Sequence, residues 1–271
     1  MTLPSFGPLC KHAEMTTSKE RAQLLLDLHH QDKPVILPTV WDVWSAATCV
    51  ANGFSALTIG SHPVADSLGH ADGEAMELSD VLAVVQRITD FVDVPVSVDL
   101  ESGYDTPADE LVHRTLEAGA VGINIEDTVH SLGEMRSPEE HGDYIAAIRA
   151  AADATDTHLV INGRTDAFTT DEDPEAQLEN ALTRLRLLEA AGADSLYPVK
   201  VPSRAILERI LGAVNTPLNV TAHPVNGAVP EGLSLQEITQ LGVKRVSFGP
   251  LLQRSLTDSM AEILKPWTPA S

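Results

Sequence analysis

Three acidic residues carry the strongest chemical signal in the chain. Asp99 and Glu101 close one apolar run, and Glu126 closes the next. Residues two apart in an extended backbone project to the same side, so the Asp99 and Glu101 carboxylates are expected to share a face while Leu100 turns away. A neighbouring strand lies about 5 Å to the side, which brings Glu126 close enough to repel both unless something neutralises the group. Donors that are all oxygen favour a hard divalent cation, Mg²⁺ with Mn²⁺ as a substitute, over Zn²⁺ or a Ca²⁺ cage. The competing reading is that these acids cap helix N-termini, the more so for Asp127. On a later run, Asn162-Gly163-Arg164-Thr165-Asp166 sets a guanidinium beside the acids. It suits a substrate carboxylate or an enolate oxygen. An ion pair with Glu126 or Asp166 fits the spacing equally well, and the two roles are compatible.

Such residues need a scaffold that gathers strand ends at one place. Short apolar runs recur at 34–41, 55–60, 94–100, 121–125, 158–163, 194–199, 217–221 and 243–248, with amphipathic stretches of helix length between them. Gly53, Gly119, Gly192 and Gly242 each precede a run at the same offset and are placed as left-handed helix caps. This alternation predicts a parallel α/β fold, a (β/α)₈ TIM-type barrel with a core over about 34–255, preceded by a helix at 18–30 and followed by one at 251–267. An open doubly wound sheet is the alternative. No Pro/Ser-rich linker interrupts the array, so 1–271 is expected to form a single domain. Active sites of such barrels sit where the strands end. The other strand ends are Trp41-Asp42, Gly60-Ser61-His62, Lys200, Thr221-Ala222-His223 and Ser247.

Composition narrows the partners. The 271 residues carry 18 Lys and Arg against 39 Asp and Glu, a formal charge of −21, with aromatics at only 4%. A charge of this sign repels nucleic acids and anionic membranes, and no basic patch offsets it. No apolar stretch is long enough to span a bilayer and no signal-peptide layout opens the chain, so a cytoplasmic protein is expected. Cys10 and Cys49 lack metal or redox spacing and are read as reduced thiols. His29, His30, His70, His113, His141 and His158 show no ligand grouping and are read as solvated, while His223 is placed where it could face a pocket.

The strings Gly60-Ser61, Ser67-Leu68-Gly69-His70-Ala71-Asp72, Asp99-Leu100-Glu101-Ser102-Gly103-Tyr104, Glu126-Asp127 and Gly163-Arg164-Thr165-Asp166-Ala167 resemble, in order and spacing, the signature of the isocitrate lyase/phosphoenolpyruvate mutase superfamily. The resemblance implies a Mg²⁺-dependent barrel enzyme, usually a homotetramer, acting on a small 2-oxo or 2-hydroxy acid through an enolpyruvate-like anion. By position it implies Asp99 as the direct metal ligand, with Asp72, Glu101 and Glu126 holding the metal's waters. Ser61 and the His62 N–H would cradle substrate oxygens, Arg164 would stabilise the enolate, and Trp41, Asp42 and Asn162 would shape the mouth.

Two departures bear on the branch. The stretch Asp127–Pro138 has neither cysteine nor lysine, so the K-(K/R)-C-G-H loop of the isocitrate and methylisocitrate lyases is absent. His130-Ser131-Leu132 stands where the phosphonate enzymes carry Asn-Ser-Leu. His130, Glu134 and Arg136 are therefore candidates for the missing acid/base group on a closing loop. The leading expectation is a lyase that cleaves a carbon-carbon bond or decarboxylates, and not isocitrate lyase itself. The alternatives are phosphoenolpyruvate mutase or phosphonopyruvate hydrolase chemistry, and a barrel that binds metabolites without turnover. In relatives the terminal helix exchanges between subunits, which implies the same for 251–267.

Overall fold

The computed structural model describes residues 17–228 and 231–269; Cys10 lies outside them. Helix α1 (Ser18–His29) starts at a capping box in which Thr17 and Glu20 satisfy one another's backbone donors. The chain then alternates through β1 (Val35–Leu37), β2 (Thr39–Val40), α2 (Val43–Ala51), β3 (Leu57–Ile59), α3 (Ser61–Leu68), α4 (Leu78–Thr89), β4 (Val96–Asp99), α5 (Ala108–Glu117) and β5 (Gly122–Ile125). A small hairpin, β6 (Thr128–Val129) and β7 (Glu134–Met135), precedes α6 (Pro138–Asp153), β8 (Val160–Thr165), α7 (Pro174–Ala190), β9 (Ser195–Pro198) and α8 (Arg204–Leu211). The last elements are β10 (Asn219–His223), β11 (Gly227–Ala228), α9 (Leu235–Leu241), β12 (Arg245–Ser247) and α10 (Leu251–Leu264).

Parallel pairing runs β2-β3-β4-β5-β8-β9 on one side and β1-β12-β10 on the other. Two joints close the ring. A parallel bridge between Leu196 and Leu218 links β9 to the start of β10. The other joint is Pro38, where the expected single strand 34–41 is interrupted. Proline has no N–H to give to a ladder, so β1 leans on β12 and β2 on β3, while the Pro38 carbonyl still accepts from Thr58 N at 3.1 Å. The four predicted cap glycines all take positive φ, between 85° and 93°.

The helices pack apolar faces on the ring in the way α4 illustrates. Its Leu78, Val81, Leu82, Val85 and Ile88 recur at helical spacing and are buried. The barrel interior is less ordinary. Instead of branched aliphatics alone, it holds Ser97, Asn124, Asn162, Ser195, Asn219 and a fully buried Arg245. Asn162 donates to Asn124 Oδ1 at 2.8 Å, and Arg245 donates to the same oxygen at 3.0 Å. Below this layer α1 closes the end of the barrel. Leu25 is wholly buried there, and a Cβ on Gly122 would come within 2.8 Å of its Cδ2.

Two histidines expected to be solvated are not. His29 and His141 are fully buried, His29 with Nδ1 2.7 Å from the Leu25 carbonyl and His141 with Nε2 3.0 Å from the Arg164 carbonyl. Both lie where helices meet the barrel, a contact that local sequence does not encode. At the other extreme α10 buries no residue, and Leu256, Met260, Ile263, Leu264 and Trp267 present apolar surface. Among the described residues no helix is long and apolar enough to cross a membrane.

Burial, with the Arg245 charge beside it, holds His29 down to about 3. The unfolded chain takes up this proton below about pH 6.5 while the folded protein refuses it, so stability is retained above that pH and lost as pH falls toward 3. Between pH 6.5 and 5 the loss from this one group is about 2 kcal/mol. Thermal melts across that range should show a flatter acid limb in His29→Gln than in the wild type; equal slopes would mean that His29 titrates normally in the fold.

Candidate active site

At the carboxyl ends of the strands a cavity of about 380 Å³ opens, lined among others by Ser61, His62, Asp72, Asp99, Asn124, Arg164, Tyr197 and Lys200. Its floor is set by close backbone approach. A Cβ at Gly60 would sit 2.6 Å from Thr39 Cγ2, so only glycine lets the chain turn directly from β3 into α3. Gly60 offers no side-chain cap to α3. The first backbone N–H groups of that helix, Ser61 and His62 among them, are thus left free of a side-chain partner, as an anion cradle requires. The Ser61 hydroxyl lies 3.4 Å from Asp99 Oδ2.

Arg164 organises the charges. It comes from β8, forks onto Asp166 through Nε at 2.8 Å and Nη2 at 3.2 Å, contacts Glu126 Oε2 through Nη1, and stands 3.8 Å from Asp99. Both ion pairs anticipated from the spacing form together, and Arg164 still lines the cavity. Burial works against its charge, yet Glu126, Asp166 and Asp99 outweigh that and hold it firmly protonated. Its mount is itself pinned. Buried Asp127 accepts from Thr165 Oγ1 at 2.6 Å, Asp166 N at 2.8 Å and Arg184 at 3.1 Å. Asp127 thus anchors the loop and caps no helix.

The acids converge by a different route from the one expected. Glu101 lies beyond the end of β4 with φ at +49°, so the alternation of an extended strand does not reach it. Its buried carboxylate accepts from Glu74 N at 2.7 Å and from the Tyr104 hydroxyl at 2.8 Å, and does not line the cavity. Burial, and then the charge of Asp99, push Glu101 up to about 7. Burial likewise raises Asp99 and Glu126 against the opposing pull of Arg164. Asp72 reaches the cavity from the loop after α3 and is bound by His62 Nδ1 at 3.1 Å.

Other expected site residues land elsewhere. His130 lies behind the acids, with Nε2 2.7 Å from Glu126 and 3.4 Å from Glu101, and its hydrogen bond to Glu126 pulls it up to about 9. It does not line the cavity. Glu134 is exposed on β7 and Arg136 is turned inward, donating to the Ser102 carbonyl at 3.0 Å and stacking on Tyr144. Trp41 packs into the core beside an outer cleft shared with Trp44 and Ser67, and Asp42 caps α2. Asn162 belongs to the polar layer beneath the mouth, where Asn124 takes the lining position instead. His223 accepts from Val225 N and Asn226 N and stabilises its own turn. Cys49 is partly buried, and burial raises its thiol to about 11, which leaves it unreactive.

Sequence reading passed over Tyr197, Arg254 and Glu74. Tyr197 lines the cavity, and burial raises its hydroxyl above the usual range, so it stays protonated. Its place opposite Arg164 in the β8–β9 register was the available signal. Glu74, itself at positive φ, ties two loops together by accepting from Ser102 N, Ser102 Oγ and Tyr104 N.

The donors around Asp99 are oxygens, and burial with repulsion between the acids raises the proton affinity of Asp99, Glu101 and Glu126, which is the environment a hard cation relieves. Among the described residues no three His, Cys, Asp or Glu side chains converge closely enough to form a closed metal cage. The residues therefore fit an ion held directly by one carboxylate, with water and substrate oxygens completing its shell.

Comparison with known proteins agrees with this fold. The family model for phosphoenolpyruvate phosphomutase matches residues 25–267. An uncharacterized protein of Mycobacterium tuberculosis is 30% identical over 223 residues, covering 82% of this chain and 80% of its own. Oxaloacetate decarboxylase of Paraburkholderia xenovorans is 28% identical over 253 residues, 90% of this chain and 82% of that enzyme. Among solved structures, a Burkholderia cenocepacia protein with a provisional phosphonomutase name superposes with a TM-score of 0.84 at 36% identity, covering 91% of this chain and 99% of its own. With the family model matched over residues 25–267 and a 30% identical relative covering 82% of the chain, this protein belongs to the isocitrate lyase/phosphoenolpyruvate mutase superfamily and is not isocitrate lyase itself.

Proposed function

We propose that the chain is a Mg²⁺-dependent lyase that breaks a carbon-carbon bond of a small 2-oxo or 2-hydroxy acid, decarboxylation included, and leaves an enolpyruvate-like anion. The observation that carries this reading is the cavity in which Arg164, held charged by three carboxylates, faces Asp99 beside the free N–H groups of α3. Asp99 would hold the ion directly, with Asp72, Glu101 and Glu126 on its waters; Mn²⁺ has the same oxygen preference. When bound, the ion would draw electron density from the substrate's 2-oxygen. Ser61 and the adjacent N–H groups orient the carboxylate. With a 2-oxo acid, the electron pair of the breaking bond moves onto the 2-oxygen, and Arg164 stabilises the charge where it develops. The Tyr197 hydroxyl, which stays protonated and pairs with Thr221 Oγ1 at 2.5 Å, lines the same space.

A second reading, carbon-phosphorus chemistry on a phosphonopyruvate, draws support from the matched family model and the provisionally named Burkholderia relative. The His130-Ser131-Leu132 loop favours the first reading, because the side chain at 130 is engaged with Glu126. The whole chain would act as one catalytic domain in the cytoplasm, and the uncovered apolar face of α10 supports a homo-oligomer, a tetramer by family resemblance.

A pyruvate-release assay with oxaloacetate, alkylmalates and phosphonopyruvate should give Mg²⁺-dependent turnover with at least one acid. Asp99→Asn should lower that turnover at least about a thousandfold with little change in melting temperature, since removing a buried, strained charge does not weaken packing. Undiminished rates would remove the metal assignment, and metal-dependent oxalate binding without turnover of any acid would favour a non-catalytic binding barrel. Arg164→Lys replaces a planar fork by a point charge and should cost about a hundredfold in kcat; a wild-type kcat would make Arg164 purely structural.

A further inference from the structure

Arg245 is the least expected residue of the barrel interior. It is fully buried and forms no ion pair among the described residues, whereas Arg184, the other buried arginine, is matched by Asp127. Its Nε–H has no hydrogen-bond partner, Nη1 stands 3.4 Å from His29 Nε2, and Nη2 donates to Asn124 Oδ1 at 3.0 Å with Ser97 Oγ at 3.4 Å. An apolar side chain of similar volume would avoid the cost of burying such a charge, so packing does not account for it. What the guanidinium supplies is a direction. Asn124 Oδ1 also accepts from Asn162 Nδ2 at 2.8 Å, and Asn162 Oδ1 accepts from Ser195 Oγ at 2.5 Å. These two amides and a hydroxyl could be linked equally well with both amides turned over, because a hydroxyl donates or accepts. Ser97 is equally indifferent. A guanidinium can only donate, so among these partners Arg245 alone fixes the Asn124 oxygen downward. The amide nitrogen is left to face the mouth. Asn124 lines the cavity and pairs in register with Asp99, and its Nδ2 donates to no group among the described residues.

We propose that Arg245 is a positioning residue that sets the polarity of this amide chain, so that Asn124 presents an N–H donor to an anionic oxygen of the substrate beside Asp99. The assignment rests on the proposed function. A donor already aimed where charge develops costs no reorganisation at that moment. A cation on Asp99 would by itself draw the Asn124 oxygen toward the mouth, where it would repel the substrate's anion. The donor-only guanidinium beneath opposes that turn.

Calorimetry with Mn²⁺ alone, and then with oxalate in saturating Mn²⁺, separates cation binding from anion binding. Asn124→Asp keeps the oxygen that Arg245 and Asn162 need and replaces the donor by an acceptor. Arg245→Met removes the group that fixes the amide. Each should weaken oxalate about tenfold, while Mn²⁺ alone binds no more weakly than in the wild type. Neutron diffraction from deuterated crystals grown with Mn²⁺ reads the amide itself, with nitrogen toward the cavity in the wild type and oxygen toward it in Arg245→Met. Unchanged oxalate affinity in either variant would overturn the assignment, and so would an Asn124 amide that keeps its orientation without Arg245. Equal losses of Mn²⁺ and oxalate would also overturn it, as the mark of a collapsed mouth. Should Arg245→Met not fold, Asn124→Asp and the wild-type amide decide alone. Wild-type protein that takes up no oxalate with Mn²⁺ would instead overturn the proposed function, and with it the role given to the donor.

Discussion

Arg164 faces Glu126, Asp166 and Asp99 within one partly buried volume, and neither the acids nor the base could occupy it alone. Burying an unpaired carboxylate is expensive enough that it takes up a proton instead. The guanidinium offsets that for its neighbours, and His130 does so for Glu126. Burial, with repulsion between the acids, still leaves Asp99 and Glu126 raised in proton affinity. A site with this surplus of oxygen donors has capacity for further positive charge, and the rest of the local architecture holds it in that condition. Asp127 and Arg184 pin the end of β8, and the turn of Glu101 is held by Glu74 and Tyr104.

Below the mouth, the polar interior of the barrel serves the same end. Asn124 links the layers, since it lines the cavity while accepting from Asn162 and Arg245 beneath. Such a network holds side chains in fixed directions more strictly than an aliphatic filling, because each group must meet its partner's geometry. A rigid set of dipoles and charges costs little reorganisation when charge develops on a substrate. The lyase or mutase chemistry of the superfamily calls for that property.

Much of this was legible from residue order. Eight apolar runs separated by helix-length stretches gave the barrel, and the four cap glycines fell at positive φ as their offset implied. Asp99, Arg164, Ser61 and Asp72 all reach the cavity: Asp99 and Arg164 lie at strand ends, Ser61 opens the helix directly after β3, and Asp72 follows that helix. The misplacements share a cause. Glu101 was assigned by strand alternation, but the strand stops at Asp99 and the chain turns through a left-handed residue. Trp41 and Asn162 were judged by nearness to a strand end, whereas the direction of each side chain decides whether it meets the mouth, the outer shell or the layer beneath. His29, His141 and Arg254 depend on where a helix docks, which no local pattern contains.

The central claim is that Asp99 anchors a divalent cation which the neighbouring acids hold only through water. Anomalous diffraction from crystals grown with Mn²⁺ and oxalate measures this directly. The account predicts one peak about 2.1 Å from an Asp99 oxygen, with the carboxylates of Asp72, Glu101 and Glu126 beyond direct coordination and oxalate reaching toward Arg164. A peak bound by another residue, or none while oxalate is present, would contradict it.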